Sequence, residues 1–298
     1  LYYDSHTHLN DDKLYPDWQG YIQEFVDAGG GGLVNVGVDH QRNQRGIAIA
    51  QEASKSFPDT FVKATIGYHP SEVCFGKIIG SHPEQNDSVA KDLGHTIMDS
   101  SATPQNDNIK TISQAIQFLK DLYAQHAEHI VAIGECGIDT HYDGYSHITT
   151  QKELFAQHCD LAQELDLPIV IHSRDDFAST WDVVKNYKNE KIYFHCRGYG
   201  PGEVKVLQNY FPKLWIGFCG NVSYPKAQIL RDSLYVTRPD AMLLETDAPY
   251  LAPQTQRGNT NKPLYVIDIY NYVASILSLD LPVLQSEIAN NFQRLYNR

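Results

Sequence analysis

The chain has 298 residues, of which 42% are hydrophobic and 20% charged. That balance excludes wholesale disorder, and the length allows a core that needs no disulfide or metal staple. The formal net charge of −12 argues against a surface that coats nucleic acid, and no apolar run reaches the roughly 18 residues of a membrane-spanning helix.

Short apolar runs alternate with longer helical patterns along the chain. A strand is expected over 2–8 and a helix over 18–28. Gly29-Gly30-Gly31-Gly32 reads as a helix C-cap and turn, because it lacks the G-x-G-x-x-G spacing of a dinucleotide loop. A strand over 32–38, a helix over 41–54 and a strand over 61–67 follow. The stretch 76–108 is polar and aperiodic; it reads as a loop insertion at the rim of the fold, with His82 and His95 in solvent. Beyond it come a helix over 112–126, a strand over 130–134, a helix over 151–165, a strand over 168–172 and a helix over 177–187. The last part gives strands over 192–195, 214–218 and 241–245, helices over 202–209 and 226–232, and two closing helices over 263–277 and 282–296. Eight strands alternating with helices predict an α/β fold, a distorted (β/α)8 TIM barrel, as one domain over 1–298.

Cys74, Cys136, Cys159, Cys196 and Cys219 are odd in number and show no CxxC spacing. They read as reduced thiols of a cytoplasmic enzyme. The start, Leu1-Tyr2-Tyr3-Asp4, has neither the basic nor the apolar part of a signal peptide.

The thirteen histidines carry the chemistry through their placement. His6 and His8 sit two apart in the first strand and so share a face. Glu135, His172, His195 and Asp247 fall at the ends of four other strands. Barrel active sites gather side chains from several strands at that end. Six N and O donors exceed the needs of one tetrahedral ion. They suit two divalent ions bridged by a carboxylate, with Glu135 as the bridge and Asp247 as ligand and general base.

Several segments resemble the TatD-type metal-dependent deoxyribonucleases, a branch of the amidohydrolase superfamily. They are Asp4-Ser-His-Thr-His-Leu9, Gly67-Tyr-His-Pro70, Gly134-Glu-Cys-Gly-Ile-Asp139 and Ile171-His-Ser-Arg174. Phe194-His-Cys196, Ile216-Gly-Phe-Cys-Gly220 and Glu245-Thr-Asp-Ala-Pro-Tyr-Leu251 continue the series in order. The resemblance implies a distorted TIM barrel and a divalent-metal phosphodiesterase acting on DNA. It places His6, His8, Glu135 and Asp247 around one ion, and Glu135, His172 and His195 around the other. It gives His69 a contact to phosphate or leaving group. Arg174 is a candidate for bidentate phosphate contact or for a structural ion pair, and Arg257 for a phosphate contact or a plain surface loop. Glu245 and Asp139 are candidates to orient the imidazoles.

There are departures from the family pattern. The segment after His195 reads Cys196-Arg197-Gly198-Tyr199-Gly200, Lys262 stands where an acidic residue is usual, and His69 lies further from Gly134 than expected. The main expectation is a monomeric DNase, an exonuclease or 3′-end processing enzyme, that takes DNA by a strand end with no membrane partner. Its cofactors are two divalent ions, Mg or Mn for activity or Zn. Tyr68, Tyr199 and Tyr250 are candidates to stack on a base. The alternative is hydrolysis of a small ester, lactone, amide or phosphoester on the same barrel. A scaffold with a vestigial site is disfavoured, since none of the six candidate ligands is missing.

Overall fold

All eight apolar runs form strands in the computed structural model, which describes residues 1–74, 77–78, 111–141, 148–196 and 198–297. They are β1 (Tyr2–Thr7), β2 (Gly30–Asn35), β3 (Phe61–Ile66), β4 (Ile130–Asp139), β5 (Ile169–Arg174), β6 (Ile192–Phe194), β7 (Leu214–Phe218) and β8 (Met242–Leu244). The strands lie in one sheet in sequence order, with every neighbour parallel. Parallel neighbours need a crossover, and a helix supplies each one. These are α1 (Trp18–Asp27), α2 (His40–Ser56), α3 (Ile112–His126), α4 (Ile148–Leu165), α5 (Phe177–Val184), α6 (Pro201–Tyr210) and α7 (Gln228–Val236). After β8 come α8 (Val266–Leu277) and α9 (Leu281–Tyr296). The architecture is the (β/α)8 barrel that the alternation predicts.

Local chemistry sets the helix starts. The Asp39 carboxylate accepts the Arg42 N–H at 2.7 Å and caps α2, while Thr111 and Gln114 form a reciprocal capping box on α3. No single helix among the described residues is long and apolar enough to cross a membrane.

Two expectations change. Gly30 to Gly32 belong to β2, and only Gly29, at φ 91°, serves as the helix cap. Their lack of side chains lets β2 press against its neighbours: a Cβ on Gly30 would overlap the Phe25 ring of α1. Also, β4 continues past Gly134 to Asp139 and is buried throughout. Gly134 and Gly137 have φ of 134° and 144°, and a Cβ on either would run into a carbonyl oxygen of β5, that of Val170 or His172. Only glycine permits that approach. The insertion expected over 76–108, with His82 and His95, lies outside the described residues apart from Lys77–Ile78, which pairs with Val73–Cys74 in a short antiparallel ladder.

The barrel closes where β8 returns beside β1. Asp247 N–H donates to the His6 carbonyl at 2.9 Å, and His8 N–H donates to the Ala248 carbonyl at 2.7 Å. Helix α9 packs against this seam with Leu284, Ile288, Phe292, Leu295 and Tyr296 buried. Each such side chain contributes about 1.5–3 kcal/mol, against about 0.5–1.5 kcal/mol for a hydrogen bond. The apolar face of α9 therefore holds the seam, and the polar contacts set its register.

The key polar contact is Asp4, fully buried in β1. It accepts the Thr246 N–H at 2.9 Å and the Thr246 hydroxyl at 2.6 Å. Burial pushes its carboxyl up to about 8, against the hydrogen bonds, which pull it down. In the unfolded chain the group titrates near 3.8, so the folded state binds its proton more tightly. The stability it confers is full below that value and is lost as pH rises toward 8. Denaturant unfolding of wild type and Asp4→Asn at pH 5 and pH 8 tests this. The variant should gain on wild type at the higher pH; a constant difference would exclude a titrating Asp4.

A candidate dinuclear metal centre

The residues singled out from sequence converge at the C-terminal end of the barrel. His6 and His8 come from β1 and the residues after it, Glu135 from within β4, and His172 from β5. His195 follows β6, and Asp247 follows β8 in a left-handed backbone conformation at φ 53°. All but His172 are buried, and His172 is partly so.

Glu135 stands at the middle. Its N–H donates to the Gly37 carbonyl at 2.9 Å, and the Thr65 hydroxyl donates to the carbonyl of Gly134. One carboxylate oxygen, Oε2, lies 3.5 Å from His6 Nε2 and 3.7 Å from His8 Nε2. The other, Oε1, lies 2.8 Å from His172 Nδ1 and 2.6 Å from His195 Nε2. Asp247 Oδ1 completes the first group, 3.2 Å from His8 Nε2 and 3.6 Å from His6 Nε2. The two Nε2 atoms of His6 and His8 are 3.1 Å apart.

These separations test whether a metal fits. A tetrahedral ion with ligand bonds of about 2.0–2.1 Å has ligand–ligand edges of roughly 3.3–3.4 Å. The His6, His8, Glu135 and Asp247 donors bracket that value. The outer hydrogen bonds also turn the right atoms inward. His8 Nδ1–H donates to the Val36 carbonyl at 3.1 Å, and His172 Nε2–H donates to Asp139 Oδ2 at 3.0 Å. In the neutral ring each leaves the other nitrogen, the one on the Glu135 side, as the lone-pair donor that a metal needs. Asp139 is itself held by the His141 N–H at 2.8 Å. On the far side, His195 Nδ1 faces Glu245 Oε1 at 3.6 Å, and Glu245 accepts from the Tyr193 hydroxyl and the Cys196 N–H.

His69 also lies near Glu135, with Nε2 at 3.8 Å from Oε1, and is grouped with Glu135 and His172 by distance. Its Nδ1, however, accepts the Ser71 N–H at 3.1 Å. A neutral His69 therefore carries its proton on Nε2 and presents a donor, not a lone pair. The tautomer favours His195 over His69 as the third nitrogen beside Glu135 and His172.

The electrostatics fit a cation-seeking centre. Burial alone would raise the Glu135 carboxyl, yet the imidazoles of His195, His172 and His6 hold it well below the usual range. Burial works against a charged His195 or His172. Glu135 with Glu245 outweighs it at His195, and Asp139 with Glu135 outweighs it at His172, so both imidazoles are pushed up. Burial, with His172 nearby, drives His69 down to about 3, so it is neutral at physiological pH. Asp247 is lowered by the hydrogen bond from His8 and by His6 and His195, against the effect of burial.

A cavity of about 750 Å³ opens above the centre. Arg174 and Arg257 line it together with Lys13, Arg42 and Tyr250. Arg257 donates to the Tyr224 hydroxyl at 2.9 Å and lies over that ring. Tyr199 and Tyr250 line the cavity, but Tyr68 is only 1% exposed, which removes it as a stacking surface for a base. Arg197 lies outside the described residues. Lys262 is held by Glu24 of α1 at 2.6 Å, away from the centre. Cys136 points its thiol toward the Val170 carbonyl at 3.7 Å and takes no place in the centre.

Sequence reasoning missed Asp11 and Arg42. Arg42 bridges Asp39 at 2.9 Å and Asp11 at 3.0 Å, and Asp11 also accepts the Tyr250 hydroxyl at 3.0 Å. Each residue looks like ordinary loop or helix polarity in sequence. The one available signal was that Asn10-Asp11-Asp12 begins two residues after His8.

A parallel barrel with this histidine and carboxylate set at its rim belongs to the metal-dependent hydrolases. More narrowly, the chain belongs to the family of TatD related DNases, whose sequence profile matches residues 3–297. It is 28% identical over 302 residues to YabD of Bacillus subtilis, an uncharacterized metal-dependent hydrolase, with 99% of each chain covered. It is 32% identical over 185 residues to YcfH of Escherichia coli K12, named in the same way, with 61% of this chain and 68% of YcfH covered. Among solved structures it superposes on YjjV, a TatD homologue of Escherichia coli K12, with a TM-score of 0.78 at 19% identity, covering 100% of this chain and 98% of that one. A TatD family hydrolase of Entamoeba histolytica gives the same TM-score at 18% identity, with 99% and 98% covered.

Two variants separate the roles at the centre. Asp139→Asn weakens the carboxylate that orients His172 and should lower metal affinity about 10- to 100-fold. His69→Ala should keep its metal content. Metal analysis after dialysis reads both; loss of an ion in His69→Ala would make His69 a ligand. Acid should release the metal as well. His172 and His195 take up protons above the ordinary histidine value of 6.5, so affinity should fall as pH drops through and below neutrality.

Proposed function

We propose that this protein is a divalent-metal-dependent deoxyribonuclease that hydrolyses phosphodiester bonds near a strand end. The observation that supports this most is the division of Glu135 between two donor groups, Oε2 toward His6 and His8 and Oε1 toward His172 and His195. Two divalent ions held there, Mg or Mn for turnover or Zn, would supply Lewis acidity and lower the pKa of a water. His6, His8, Glu135 and Asp247 would hold one, and Glu135, His172 and His195 the other. Asp247, kept ionised by its histidine neighbours, would accept the proton that the water gives up. His69 would donate Nε2–H to a phosphate oxygen or the leaving group, and Arg174 and Arg257 would contact flanking phosphates.

The cavity volume favours an end over a duplex. About 750 Å³ falls in the range of small-ligand sites, enough for a terminal nucleotide or two. The charge of −12 opposes broad DNA binding but leaves room for a phosphate at a cationic centre. A reducing, cytoplasmic setting fits the free thiols of Cys136, Cys159, Cys196 and Cys219. A second reading, hydrolysis of a small ester, lactone, amide or phosphoester, draws on the same acidic balance.

End-labelled single- and double-stranded oligonucleotides, digested with Mg or Mn beside a small phosphodiester, test the proposal. Metal-dependent laddering from one end is expected, with no cleavage by Glu135→Ala. Asp247→Asn should lose about 10²–10⁴-fold in kcat. Hydrolysis of the small phosphodiester without any cleavage of DNA would overturn the nuclease reading in favour of the second.

A further inference from the structure

A second cluster of potential ligands lies on the wall of the cavity, behind His195. The thiols of Cys196 and Cys219 and a carboxylate oxygen of Glu245 all fall within 4.8 Å of one another. Cys196 follows His195 and adopts a left-handed conformation at φ 34°. Cys219 follows β7, and the next residue is a glycine for a steric reason: a Cβ on Gly220 would run into the Leu251 carbonyl. Asn221 joins the cluster, its Oδ1 3.2 Å from Cys219 Sγ and its Nδ2 3.7 Å from Cys196 Sγ. Cys219 and Glu245 are buried, while Cys196 and Asn221 line the cavity. Both thiols are free.

We propose that Cys196, Cys219 and Glu245, with the Asn221 side-chain oxygen, form a separate site for one soft divalent ion, Zn2+ or Cd2+, whose occupation inhibits the enzyme. The donor set differs in kind from that around Glu135. Thiolate ligands select soft ions, whereas imidazole and carboxylate alone also serve harder ones. The geometry is close to what such an ion needs. With metal–sulfur bonds of about 2.3 Å, a tetrahedral site places its sulfurs roughly 3.7–3.8 Å apart. The present limit of 4.8 Å is reached from there by an inward movement of about 1 Å at most. The inhibitory consequence follows from Glu245. Its carboxylate accepts the Cys196 N–H and faces His195 Nδ1 at 3.6 Å, so drawing it onto an ion withdraws the support behind His195.

The test titrates the reduced protein, loaded with Mn2+, with Cd2+ and follows the ultraviolet thiolate-to-cadmium charge-transfer band. Wild type should develop a band that saturates at one equivalent, and hydrolysis should fall in parallel. Cys219→Ser should lose the band and need at least tenfold more Cd2+ for the same inhibition, while its activity without Cd2+ stays at the wild-type level. Cys219→Ala guards against a serine that perturbs folding. Glu135→Ala, which lacks the bridging carboxylate, should keep the band, so the outcome does not depend on the proposed nuclease function. No band, or an undiminished band in both Cys219 variants, would overturn the site. Inhibition by Cd2+ without a band would also overturn it, by showing displacement at the Glu135 centre alone.

Discussion

The carboxylate of Glu135 carries a negative charge in a place almost closed to water, and the rest of the centre is arranged around that fact. Removing a carboxylate from water costs several kcal/mol unless opposite charge and hydrogen bonds replace the solvent. Three imidazoles supply that replacement, and they hold its carboxyl well below the ordinary range. The same contacts push protons onto His172 and His195. The donors around Glu135 have separations close to ligand edges, and on the proposed reading divalent ions would supply the positive charge there. The two glycines of Gly134-Glu-Cys-Gly137 serve this arrangement. They let β4 run beside the β5 backbone without a Cβ between, so Glu135 sits within a strand and not on a loop. A site on a strand is held more precisely than one on a loop.

The centre also depends on closure of the barrel. His6 and His8 come from the first strand, and Asp247 follows the last. They meet only where the seam forms. Backbone bonds at His6 and His8, and the buried Asp4 that grips Thr246, fix the register of the two ends. A slip by one residue would turn His6 and His8 away from the interior. On the proposed reading metal binding and barrel closure would be linked, since an ion held by both ends would favour the closed state.

Much of this was legible in sequence because barrel physics is periodic. His6 and His8 two residues apart, His172, His195 and Asp247 near strand ends, and Glu135 just after a short apolar run are one-dimensional signals of a three-dimensional rim. The alternation of short apolar runs and amphipathic stretches gave the eight strands in order. What escaped was whatever depends on contact between distant chain segments. That β4 would extend to Asp139 required knowing how close Gly134 and Gly137 come to β5. That Gly30 to Gly32 are strand and not turn required knowing that the Phe25 ring packs on Gly30 and the Tyr3 ring on Gly31 and Gly32. Tyr68 looked like a rim aromatic beside His69, but its side chain turns into the core. The Arg42–Asp11–Tyr250 linkage joins residues far apart in sequence, and no local pattern marks it.

The cations along the cavity bear on how a polyanion would be held. Arg42 is already neutralised by Asp39 and Asp11, and Arg257 leans on the Tyr224 ring and hydroxyl. Asp11, Glu72, Asp139 and Asp175 line the same cavity. Among the described residues, Lys13, Arg42, Arg174 and Arg257 on the wall are balanced by these four carboxylates, which leaves little net positive charge beyond the centre itself. On the proposed reading, phosphate attraction is concentrated at the ions held by Glu135 and its neighbours and falls off within a Debye length of about 8–10 Å. That spans only one or two phosphates. A strand end can bring a phosphate to such a point while the rest of the nucleic acid stays away from an acidic surface. A duplex laid across the rim would meet that surface over its whole length. On the proposed reading the chain's charge would restrict how DNA approaches, in the direction of end-first binding.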